Sequence, residues 1–170
     1  EKSKLLISKM NDIYSSAFHD FATLISGDSK KYDLCIEKLF ESERQLDEIQ
    51  IIITDSLTSV LRHSDSNKFV LEVRYNLGLA DYYESLGDYQ ASLAKQYIQL
   101  KKYNLNFDPN RKKAILKINS LIDQINLEFS DLLKYPNKNK IKDLMKRCEE
   151  INQTLQFDKK NENTMEIHIY

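Results

Sequence analysis

Three glycines and two prolines in 170 residues leave this chain few places to turn. That scarcity dictates long helices, because glycine and proline are the residues that end them most cheaply. The breaks fall where those residues stand. Gly27 closes a first helix, Lys4–Ser26, whose apolar stripe is Leu6, Met10, Ile13, Ala17, Phe21 and Leu24, widened by Tyr14, Phe18 and Ile25. Asp28 or Ser29 then caps a second helix running to about His63, with Tyr32, Ile36, Leu39, Leu46, Ile53, Leu57 and Val60 on its inner side. The dense apolar run Ile49–Ile53 implies that the middle of this helix is covered on two sides.

Ser64-Asp65-Ser66-Asn67 is a loop by its side-chain chemistry. Asp108-Pro109 starts another helix, Asp as cap and Pro at the first helical position. That helix carries the cleanest periodicity in the chain, Ile115, Ile118, Ile122, Ile125, Phe129 and Leu132, in alternating steps of three and four. Such a seam calls for cover by neighbouring helices or another chain. Tyr135-Pro136 ends it, and Ile141, Leu144, Cys148, Ile151 and Leu155 mark a shorter last helix. The expected fold is all-α, five to six helices in a bundle or a short stack of helical hairpins. One domain is expected over 1–156, with 157–170 a flexible or extended tail.

Between the loop at 64–67 and the start at Asp108 lies LEVRYNLGLADYYESLGDYQASLAKQYIQLKKY, residues 71–103. Its first half puts Val73, Leu77, Ala80 and Glu84 on one line, and Leu79, Tyr83 and Leu86 on the next. Gly87 offers a left-handed stop and Asp88 a cap, after which Tyr89, Leu93, Tyr97, Leu100 and Tyr103 resume the period. The segment therefore predicts two antiparallel helices joined at Gly87. With Leu79, Ala80, Tyr83, Gly87 and Tyr89 at these spacings, it resembles a tetratricopeptide repeat. The resemblance implies a helical hairpin that binds peptides, with Arg74, Leu77, Gly78, Asp81, Glu84 and Ser85 on the concave side of its first helix. That set departs from the Lys- and Asn-rich clamp with which some members of the family grip an acidic C-terminal tail.

Composition bounds the chemistry. The charge of −1 hides an asymmetry: residues 1–94 hold 10 basic and 16 acidic groups, whereas residues 95–150 hold 13 and 7. Arg111, Lys112, Lys113 and Lys117 form one basic cluster, at a helix start where the dipole disfavours cations, a mismatch that points to function over structure. Cys35 and Cys148 both fall on apolar faces and are expected to be buried free thiols, which suits a reducing compartment, the cytoplasm. His19, His63 and His168 have no ligand spacing, so no metal or other cofactor is implied. No phosphate loop, nucleophile elbow, HExxH or CxxC is present, and adjacent carboxylates such as Glu41/Glu43 point to different sides of a helix. The opening EKSKLLISKM lacks the pattern of a signal peptide, and no apolar run is long enough to span a membrane.

These features favour a non-catalytic interaction scaffold or adaptor in a larger assembly, binding a peptide or helix of another protein. The tyrosine-rich segment, with Arg74, Leu77, Asp81, Tyr82 and Glu84, and the basic cluster Arg111, Lys112, Lys113 and Lys117 are the candidate binding residues. The alternative is a trafficking module, a dimeric bundle resting a basic face on anionic membrane. Homo-oligomerisation suits either reading, and nucleic acid is the weakest of the anionic partners because no recognition motif accompanies the charge.

Overall fold

The computed structural model describes residues 2–27, 30–62, 66–105 and 107–165, with side chains up to Gln153. It is all-α: α1 Lys2–Ser26, α2 Tyr32–Leu61, α3 Asn67–Lys102, α4 Pro109–Lys134 and α5 Lys138–Met165. Several breaks form as the sequence implies. Gly27 takes a left-handed φ of 86° after α1. Asp108 Oδ1 accepts from the backbone N–H groups of Asn110 and Arg111, at 2.9 and 3.1 Å, and so caps α4. Asn137 does the same for α5 through Asn139 and Lys140, at 3.0 and 3.2 Å. The caps expected at Asp28 and Ser29 lie outside the described residues.

The largest departure is at Gly87. No turn interrupts α3, which is one helix of 36 residues, so the hairpin expected over 71–103 does not form. Gly87 is instead a notch. A Cβ placed there would stand 2.6 Å from Leu46 Cδ1, so the absent side chain lets α2 approach α3. The real stop is Asn104, whose φ of 55° is left-handed. There the N–H of Leu105 bonds back to the carbonyl of Leu100 at 2.8 Å, and that of Asn104 to Lys101 at 3.0 Å, the paired bonds of a Schellman motif.

The chain divides into two compact units, residues 1–123 and 124–170, with the boundary inside α4. In the first, α1, α2 and α3 share a core that includes Met10, Leu46, Ile53, Ala80 and Ala94. Cross-links give the directions. Asn76 reaches Ser3, Tyr83 reaches Asn11, and Ala94 and Tyr97 pack with Ala17 and Phe21, so α1 and α3 run parallel. Gln50 reaches Asp81 and Lys95 lies over Phe40, so α2 runs against α3. The start of α4 joins α1 antiparallel, since Lys112 Nζ donates to Ser26 O at 2.6 Å and Asn119 Nδ2 donates to Phe18 O at 3.1 Å. Ile51 and Ile52 of α2 are exposed while Ile49 and Ile53 are buried, so mid-α2 is covered on one side, not two.

In the second unit, Leu132 and Leu144 are buried, Arg147 pairs with Glu128, and Ile125, Phe129, Leu144 and Met145 line a cleft of about 540 Å³. Cys148 is exposed, contrary to expectation, because it stands at the open side of that cleft; Cys35 is buried as expected. The tail expected from residue 157 is helical as far as Met165, since α5 simply continues, and 166–170 lie outside the described residues.

Candidate functional site

An uninterrupted α3 has two long faces. One is buried against α1 and α2 and carries Val73, Ala80, Tyr83, Gly87, Ala94 and Tyr97. The other is a stripe of Leu71, Tyr75, Tyr82, Leu86, Tyr89, Leu93 and Tyr103, all exposed; Tyr82, Tyr89 and Tyr103 are 71, 69 and 68% accessible. With Gly78, Gln96 and Leu100 filling the intervals, the steps along this stripe are all three or four residues, so it stays on one face for about 48 Å.

Over its last half the stripe becomes the wall of a groove of about 680 Å³ within the first unit. Leu86, Tyr89, Leu93, Leu100 and Tyr103 form that wall, and Ile115, Ile118 and Ile122 of α4 form the opposite one. The floor comes from α1, through Tyr14, Phe18, Phe21 and Ile25. Phe107, stacked on Tyr97 with centroids 5.7 Å apart, lines the end where α3 turns into α4. The seam expected to be covered is therefore half open: Ile115, Ile118 and Ile122 are only half-buried, because α4 leans on α1 and leaves its side toward α3 open.

The floor is firmly held. Tyr14 meets Phe18 edge-on at 4.5 Å and Tyr83 at 6.1 Å, and the Tyr83 hydroxyl donates to Asn11 Oδ1 at 2.9 Å. Burial pushes both phenols well above their ordinary pKa, with further increments from Tyr83 at Tyr14, and from Tyr75 and then Asp12 at Tyr83. Asn119 is tied to Phe18 O. Gln90, also at the floor, is 6% exposed, and neither atom of its amide finds a partner among the described residues.

The residues singled out from sequence do not assemble into one site. Of the α3 set, Tyr82 belongs to the open stripe. Asp81 instead accepts from Gln50 Nε2 of α2 at 2.8 Å, and Glu84 joins Asp47 and Asp88, with ligand oxygens of the three within 4.8 Å of one another. Burial, and then Asp88, raise the pKa of Asp47. Asp47 and Glu84 are half-buried and Asp88 is exposed. Arg74 is exposed and Leu77 half-buried. The basic cluster also comes apart. Arg111 pairs with the capping Asp108 at 3.5 Å, and Lys112 is spent on the end of α1, where its charge meets the negative pole of that helix. The unfavourable helix start thus has a structural answer. Lys113 and Lys117 remain exposed, on the side of α4 away from the isoleucine wall. Leu86 and Leu93 stand on helical faces in the sequence but are not singled out there as binding residues, because the break assumed at Gly87 cuts the α3 stripe in two; Ile115 of α4 reads as a covered seam, and Gln90 gives no signal in the sequence.

No family model, curated protein or solved structure matches this chain. Among the described residues no helix is long and apolar enough to cross a membrane.

Proposed function

We propose that this chain is a non-catalytic protein-interaction module whose groove receives a helix from another protein in a larger assembly. One observation carries the reading: the exposed Leu–Tyr stripe of α3 faces the isoleucines of α4 across an apolar groove, both with helical spacing. Contiguous exposed apolar surface of this extent marks an interaction site, and tyrosine anchors such sites at low entropic cost. A helix of about 17 residues matches the length from Leu86 to Tyr103, and an amphipathic helix laid in a groove is a recurrent mode of recognition.

Fluorescence anisotropy with a labelled amphipathic helical peptide of that length tests it. Leu93→Asp is expected to weaken binding tenfold or more while leaving the circular dichroism spectrum intact, and Lys113→Asp to change it little. Equal binding by Leu93→Asp and the parent chain refutes the groove as the binding surface.

A further inference from the structure

Gln90 is a feature of the groove that apolar packing does not explain. Other buried amides of the first unit are engaged: Asn119 with Phe18 O at 3.1 Å, Asn11 with Tyr83 at 2.9 Å and Asn76 with Ser3 at 3.4 Å. Gln90 is as deeply buried, yet neither Nε2 nor Oε1 has a partner among the described residues. A buried amide left unpaired is costly, and a leucine or methionine would fill the same volume without that cost. We infer that Gln90 is the specificity residue of the groove, pairing with a side-chain amide on the helix that docks there. This rests on the helix-binding reading above and adds the chemistry of the guest.

The complement follows from what each guest group offers. Gln90 presents a donor and an acceptor together, and an asparagine or glutamine side chain answers both at once. A hydroxyl exchanges fewer bonds with it, an acyl chain none, and the backbone groups of a guest helix are consumed within that helix. The three rotatable bonds of Gln90 let its amide turn from the floor toward an incoming group. The guest is thus a helix of about 17 residues with an apolar seam interrupted by one Asn or Gln. A single buried amide pair of this kind fixes register between helices.

The test uses the full chain and six synthetic peptides: one with an all-leucine seam, and five in which a single Asn is walked through the seam positions. With the parent chain, Asn is expected to be tolerated at one position, within threefold of the all-leucine peptide, and to cost tenfold or more at the other four. In Gln90→Leu that one position is expected to lose its exemption. The free Gln90→Leu chain is expected to melt about 2–4 °C higher, since an unpaired amide has gone. If all five positions weaken alike, or the same position is spared in both chains, Gln90 reads nothing, while binding of the all-leucine peptide still upholds the groove. If no peptide binds, or the chain sediments as a dimer closed to every peptide, the helix-binding reading falls with it. A lower melting point for Gln90→Leu identifies Gln90 as a structural residue of the free chain and overturns the inference.

Discussion

The notch at Gly87 makes a prediction that a second glycine of the same helix can calibrate. Gly78 and Gly87 both lie inside α3, and replacing either by alanine improves helix propensity by about 1 kcal/mol. Their surroundings differ. A Cβ at position 78 meets nothing within 4 Å, whereas one at 87 stands 2.6 Å from Leu46 Cδ1. Leu46 is fully buried, so its methyl has no open space to retreat into. Overpacking of this kind costs about 1–3 kcal/mol. The propensity gain cancels between the two variants, so Gly87→Ala should be about 1–3 kcal/mol less stable than Gly78→Ala, a gap of several degrees in melting temperature. Gly78→Ala itself should be stabilised over the parent. Urea unfolding followed by circular dichroism measures both, and adding Leu46→Ala provides the cycle: the leucine truncation should make Gly87→Ala favourable, because the new methyl enters the space vacated. Equal stabilisation by the two alanines would refute the close approach of α2 and α3 at Gly87.

Ala80, fully buried on the same face, should not tolerate leucine: Ala80→Leu is expected to cost about 1–3 kcal/mol in a thermal melt. The phenols of Tyr14 and Tyr83 hold their protons above the ordinary 10.0, so the stability they lend is complete below that pH and lost as pH rises through the raised values. A spectrophotometric titration should show this buried pair ionising only as the helical signal collapses. Lys112→Glu should lower stability by about 1 kcal/mol by replacing a cation at the end of α1 with an anion, while Lys113→Glu leaves the melt unchanged; equal melts would detach Lys112 from α1.

What could be read from sequence was whatever rests on local chemistry. Gly27, Asp108-Pro109 and Tyr135-Pro136 punctuate the helices because a left-handed φ, a capping carboxylate and a proline act within one turn of where they stand. Gly87-Asp88 has the same local signature as a stop followed by a cap. What decides against it is Leu46, which is 41 positions earlier in the chain and pressed against the notch. That one long-range contact also joins the two halves of the Leu–Tyr stripe into a single face, so the site was hidden together with the helix that bears it. Lys112 follows the same logic: its charge is unfavourable within α4 and favourable at the end of α1, which is distant in sequence. Tyr82, named from composition, does lie on the open face, whereas Asp81 and Glu84, named from the repeat resemblance, turn toward α2.

The contrast between the two cysteines gives the molecule a timekeeper for its own opening. Cys148, exposed in the second unit, meets an alkylating reagent directly, whereas Cys35 lies in the cluster with Ala17, Phe21, Leu39 and Ala94 and is 3% accessible. A thiol so placed is modified only as fast as the helices around it part. The exposed thiol supplies the unhindered chemical rate within the same chain, and the ratio of the two rates reports how often the first unit breathes. A guest seated in the proposed groove would slow the Cys35 reaction to the extent that it steadies that unit, so the two thiol rates together report on docking.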